Sequence, residues 1–242
     1  MDLQELIKNK SLLEAAKSEK INKGADKQMG GTSVSLPTEA NKAAGVSDNA
    51  KKISIEVVAN TPLYLDRDSD VVMPDAFEFT GMEYPLLDTH NKGSVRNIIS
   101  WGTFDYKDVA LSELGLNGEG NAKTLVFNST INKKSSPVEF EKYADNLVRQ
   151  HSLGFRYDII EFACNETGED WIEEKALWDE VYPQLLNKEE ADNLGYFWVV
   201  KKGTPREVSS CVFGACKITP TLNVQEQSES QKTEKKTFFN YK

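Results

Sequence analysis

Arg149-Gln150-His151-Ser152-Leu153-Gly154-Phe155-Arg156-Tyr157-Asp158-Ile159-Ile160-Glu161-Phe162 is the stretch whose reading decides the fold. Leu153, Phe155, Tyr157 and Ile159 fall on one side; Ser152, Gly154, Arg156 and Asp158 fall on the other. That period of two belongs to a strand with one buried face. It also turns His151 and Ser152 to opposite faces, so His151 cannot activate the neighbouring hydroxyl. A serine needs such a base to become a nucleophile, and histidine suits the task near neutral pH. The chain holds two histidines. If Ser152 is a nucleophile, its base must be His90.

Upstream, Ser136-Pro137-Val138-Glu139 carries the capping-box pattern, Ser at the N-cap, Pro at the first helical position and Glu three after the Ser. Phe140, Ala144, Leu147 and Val148 then recur at helical spacing, so a helix leads directly into the Ser152 strand. Further strands are expected at Ile53–Val57, Ile98–Phe104, Leu125–Phe127, Phe197–Val200 and Glu207–Phe213. Residues 165–196 are acidic, contain Trp171 and Trp178, and look helical around Asn187 to Leu194; they read as an insertion between two core strands.

The ends differ in composition. Leu3, Leu6, Ile7, Leu12, Leu13 and Ala16 fit one side of a short amphipathic helix over residues 1–20. The Gly/Ser/Thr/Asn-rich segment from Lys23 to Ala50 reads as a flexible linker. The polar run after Val224 reads as a disordered tail. The expected organisation is thus a helix and linker over 1–50, a mainly β domain with flanking helices (α+β) over 51–223, and a tail over 224–242.

A net charge of -9 argues against nucleic acid as a partner, since phosphate contacts call for clustered Lys and Arg. Three cysteines (Cys164, Cys211, Cys216) form no CxxC pair, so neither a disulfide framework nor a zinc site is expected, and a reducing cytoplasm is the natural setting. No apolar run reaches membrane-spanning length, and the first residues lack a signal-peptide core. No cofactor is called for.

His90 ends the apolar stretch Tyr84-Pro85-Leu86-Leu87-Asp88-Thr89-His90, anchored on one side and followed by polar, Gly-punctuated sequence; a general base suits that position. Gly154 would let a substrate backbone approach closely, and Arg156 could stabilise a tetrahedral oxyanion. Glu207 and Asp88 are the two carboxylates placed to orient His90. The bland alternatives are a loop histidine, an ordinary strand serine and solvated surface acids. Asp66-Arg67-Asp68-Ser69-Asp70 invites a calcium reading, but Val71 and Phe77 stand where an EF-hand loop needs Gly and Glu. An Asp-rich turn is expected there, and no metal.

Taken in order, three blocks resemble the prohead (capsid maturation) proteases of tailed bacteriophages, related in fold to the herpesvirus assemblin proteases. These are Leu65-Asp66-Arg67-Asp68-Ser69-Asp70-Val71-Val72-Met73-Pro74-Asp75-Ala76-Phe77, then Pro85-Leu86-Leu87-Asp88-Thr89-His90, then the pair His151-Ser152-Leu153-Gly154-Phe155 and Glu207-Val208-Ser209-Ser210-Cys211-Val212. The resemblance spans roughly residues 52–216. It implies a single herpesvirus-protease-like β-barrel and a serine endopeptidase with Ser152 as nucleophile, His90 as base and Glu207 as third member. Leu153, Gly154 and Arg156 would lie at the oxyanion and substrate. It implies a scaffolding protein and the major capsid protein as substrates, work inside a procapsid in the bacterial host cytoplasm, and self-cleavage within residues 20–50 and after 220. A homo-oligomer is compatible with it. The 165–196 insertion and Cys211, where an apolar residue is more usual, depart from the pattern. A non-catalytic scaffold module and a metal hydrolase built on Asp66, Asp68 and Asp70 are the rival readings.

Overall fold

In a computed structural model, which describes residues 9–23, 46–79 and 81–227, the stretch that opened the sequence reading is a strand. The elements in chain order are α1 (Ser11–Lys23), β1 (Lys52–Asn60), β2 (Asp70–Val72), β3 (Tyr84–Asp88), β4 (Ile98–Ala110), β5 (Asn121–Asn132), α2 (Pro137–Ala144), β6 (Gln150–Cys164), α3 (Ile172–Val181), α4 (Lys188–Leu194), β7 (Tyr196–Cys211) and β8 (Thr221–Glu226). Leu3, Leu6 and Ile7 of the expected N-terminal helix lie outside the described residues. Of the rest, Leu13 is buried while Leu12 is exposed.

β7 organises the sheet. Along one side it pairs antiparallel with β6 from Gln150↔Cys211 to Cys164↔Tyr196. Its other side takes two short parallel strands end to end: β2 with Asp70↔Trp198, and β3 with Asp88↔Ser210. From β3 the sheet continues antiparallel through β4, β5, β1 and β8. Ile53, Ile55 and Val57 of β1 and Leu125 and Phe127 of β5 meet Leu153 and Phe155 of β6 in the main core. Each such side chain contributes about 1.5–3 kcal/mol by leaving water.

The result is a mixed α+β fold with one large sheet, and that sheet does not close into a barrel. The outer strands β6 and β8 are not hydrogen-bonded as partners. The outer edge of β6 is covered instead by irregular chain: Thr219 O accepts from His151 N at 3.1 Å, and Gly214 packs against His151 O. Covering an edge satisfies its backbone groups without a closing strand.

Two strands expected separately, around Phe197 and around Glu207, are the single strand β7. Gly203 and Pro205, between the two expected strands, sit inside the ladder. A methyl on Gly203 would stand 2.8 Å from Phe77 Cε1 and 2.9 Å from Phe155 Cδ2, so glycine is there to admit two rings. Pro205 lies at a bulge, where the register steps from Gly154↔Glu207 to Phe155↔Pro205 and leaves Arg206 unpaired. Ser136 is the residue before α2, as expected, yet its hydroxyl donates to Ile99 O at 2.8 Å rather than capping the helix. The 165–196 insertion folds as α3 and α4 with a small core of Trp178, Val181 and Leu185 against Phe197 and Val199.

Candidate functional site

β3 ends in a tight reversal. Thr89 and His90 both take left-handed backbone, φ 56° and 51°, and Asn91 N donates back to Asp88 O at 3.4 Å. Two successive positive φ angles with an i to i+3 bond are the mark of a type I′ turn, which ordinarily calls for Asn-Gly. A β-branched residue and a histidine adopt it here against their preference, and such strain persists only where neighbours enforce it. β7 does so: Thr89 N donates to Ser210 O at 3.1 Å, and His90 N donates to Ser209 Oγ at 2.9 Å.

The turn carries the His90 imidazole onto Glu207, with Nδ1 2.7 Å from Oε1. Glu207 is 2% exposed, and its other oxygen accepts from the Ser209 hydroxyl at 2.7 Å. Lys92 Nζ stands 3.9 Å from Oε1. A buried carboxylate needs such partners, because an unpaired charge away from water is costly. Of the two carboxylates proposed to orient His90, Glu207 holds the ring and Asp88 does not.

Ser152 lies on β6 directly opposite Ser209, and Gly154 opposite Glu207. Directly opposed residues of an antiparallel pair share a face, so Ser152, Gly154, Ser209 and Glu207 lie together. Ser152 is 8% exposed and, among the described residues, forms no hydrogen bond with His90. Gly154 has a role that the sequence did not suggest. A Cβ there would overlap Glu207 Oε1 and lie 2.7 Å from its Cδ, so the missing side chain is the space that the carboxylate occupies. Leu153 is buried in the core. Arg156 sits four residues along the strand, roughly 13 Å from Ser152. Its Nε donates to Asp158 at 2.8 Å at an exposed position.

Beside Glu207 opens a cleft of ≈ 250 Å³ lined by Pro85, Leu87, Val95 and Ile98, with Lys92 and Arg206 at its polar side. His151 takes no part in this site. It is fully buried, with Nε2 3.0 Å from Tyr143 Oη and Nδ1 3.1 Å from Thr219 O, and burial lowers its pKa to about 4. The neutral ring donates from Nδ1 and accepts at Nε2. Burial raises the thiols of Cys211 and Cys216 to about 12 and that of Cys164 to about 11, so none is a thiolate nucleophile near neutral pH. The Asp66–Asp70 segment is a turn in which Asp66 Oδ1 accepts from Asp68 N (2.8 Å) and Asp70 N (2.9 Å). Among the described residues, no three His, Cys, Asp or Glu side chains are grouped to hold a metal, and no helix is long and apolar enough to cross a membrane.

Ser209 is the contributor that the sequence reading passed over. Its signal was the i, i+2 spacing from Glu207, which puts both on one face of a strand. No family model, curated protein or solved structure matches the chain.

Proposed function

We propose that the protein is a serine endopeptidase in which Ser152 is the nucleophile, His90 the general base and Glu207 the group that orients His90. One observation carries the reading: the 2.7 Å contact between His90 Nδ1 and the buried Glu207 carboxylate, on the face where Ser152 lies one strand away. β6 and β3 flank β7, so about 10 Å separates their backbones. The reading requires the imidazole, leaning over β7 from one side, and the seryl hydroxyl, on the other, to close that gap when substrate binds. In the reaction, Ser152 Oγ attacks a peptide carbonyl as His90 Nε2 takes its proton, and Glu207 steadies the imidazolium. His90 then returns the proton to the leaving amine, and water repeats the cycle on the acyl-enzyme. Backbone amides around Leu153 to Phe155 hold the oxyanion, and the neighbouring cleft receives a substrate side chain.

The resemblance to prohead proteases supplies the substrates of this reading: a scaffolding protein, the capsid protein and the chain's own ends, processed within a procapsid. The expected self-cleavage regions fall largely on residues outside those described.

Co-expression with candidate scaffold and capsid proteins, followed by intact mass, tests the reading. Ser152→Ala and His90→Ala are each expected to abolish processing while the circular dichroism spectrum is kept. Processing retained by either variant removes the assignment. A non-catalytic module of the same fold is favoured by the lack of a hydrogen bond between Ser152 and His90. A serine-directed phosphonate separates the two readings: it labels Ser152 in a protease and leaves a scaffold module unlabelled.

A further inference from the structure

The Asp66–Asp70 turn is half-buried at the sheet's margin with Asp70 at its buried end, and the cation paired with Asp70 comes from a distant part of the chain. Lys20, near the end of α1, places Nζ 2.8 Å from Asp70 Oδ1 and 2.8 Å from Asp68 O. The ammonium also lies over the Tyr157 ring, 5.5 Å from its centroid, while Tyr157 Oη donates to Asp70 Oδ2. Asp70 is 2% and Lys20 15% exposed, so the pair is largely withdrawn from water. Leu13 and Ala16 pack on the main core, and Lys10, just before α1, pairs with Glu174 at 2.8 Å. The site is therefore built for an ammonium, with carboxylate, carbonyl and ring face on separate sides of it.

We propose that Asp70, the Asp68 carbonyl and Tyr157 form a receptor for a lysine side chain carried on a helix, and that residues 11–23 are its tethered occupant. Departure of the occupant leaves Asp70 buried without its countercharge, so the turn loosens. The same turn shares a small cavity of ≈ 10 Å³ with Ser152, lined also by Asn60 and Cys216. Release of α1 is thereby felt next to the candidate site. The receptor stands whether or not the chain is a protease, because no catalytic group takes part in it.

Hydrogen exchange of the full chain, read by mass spectrometry, tests this with Lys20→Met and with the double variant Lys20→Met/Asp70→Asn. In Lys20→Met, exchange is expected to rise at least tenfold in residues 11–23 and 66–72 and to stay unchanged in β4 and β5. Adding Asp70→Asn removes the uncompensated charge, so protection is expected to return to 66–72 while 11–23 stays fast. Wild-type protection of 11–23 in Lys20→Met overturns the proposal, because apolar contact alone would then hold the helix. So does exchange raised through the whole sheet and unrelieved by Asp70→Asn, which would make Lys20 a general contributor to stability.

Discussion

Gly154 shows how one absent side chain can make room for a buried carboxylate and the histidine paired with it. The room that it leaves is filled by the Glu207 carboxylate, so restoring a methyl must move one or the other. Gly154→Ala is expected to destabilise the protein by ~1–3 kcal/mol, the usual cost of overpacking, measured by urea unfolding. On the proposed reading it also lowers peptide cleavage at least tenfold. Shortening the acid in Gly154→Ala/Glu207→Asp should recover part of the lost stability, a coupling that only neighbours show. A second residue acts through pH. His151 has a pKa of about 4 folded against 6.5 unfolded. Below pH 6.5 the unfolded chain binds a proton that the folded chain refuses, so stability falls as pH drops from 6.5 towards 4. The loss approaches ~3 kcal/mol. Asp66 and Asp70, whose pKa values burial raises, act in the opposite direction. They are common to wild type and His151→Gln, so they cancel in the difference between the two. A slope undiminished in His151→Gln would show that another group titrates there.

Among the elements, what was legible followed the backbone's own periodicities. β6 announced itself by alternation, α2 by Ser136-Pro137, and α4 by its start at Asn187; Gly195, with φ 74°, stops it. β7 was hidden because Gly203 and Pro205 look like punctuation, and only tertiary contact reveals that the glycine makes room for Phe77 and Phe155. Gly203→Ala is accordingly expected to cost ~1–3 kcal/mol in urea unfolding, although the residue lies in no turn. β3 was missed because five residues paired parallel on one side and antiparallel on the other carry no period of their own. Of the candidate site, His90 and Glu207 were readable from residue type and local setting. The grip of Ser209 was legible only on Glu207, through its i, i+2 spacing, since a strained turn held by a hydroxyl leaves no mark in the sequence around His90.

At the scale of the molecule, the barrel expected of the chain does not form: the sheet stays open, and irregular segments around Gly214 and Thr219 lie along the edge of β6. The 165–196 insertion joins the far ends of β6 and β7, a dozen ladder positions and roughly 40 Å of strand from Ser152. The insertion nevertheless folds back towards Ser152: Leu186 packs in one cluster with Cys216, which lines the Ser152 cavity, and Glu190 pairs with Lys217. Its Trp178 stacks on Phe197 at 4.8 Å between centroids and shares a core with Leu65 and Val71. Trp178→Ala is expected to lower stability by ~3–5 kcal/mol, read by thermal or urea melts, with the His90–Glu207 contact intact. Failure of that variant to unfold earlier than wild type would mean that the insertion packs elsewhere.

Among the described residues β7 follows all its partners in the chain, β2 and β3 by far the most. His90 and Glu207 are 117 residues apart in the chain. At ribosomal rates of roughly 5–20 residues per second, the histidine emerges about 6–23 s before the acid that holds it. The histidine therefore waits without its carboxylate until residue 207 has emerged, and the pair is assembled late in translation.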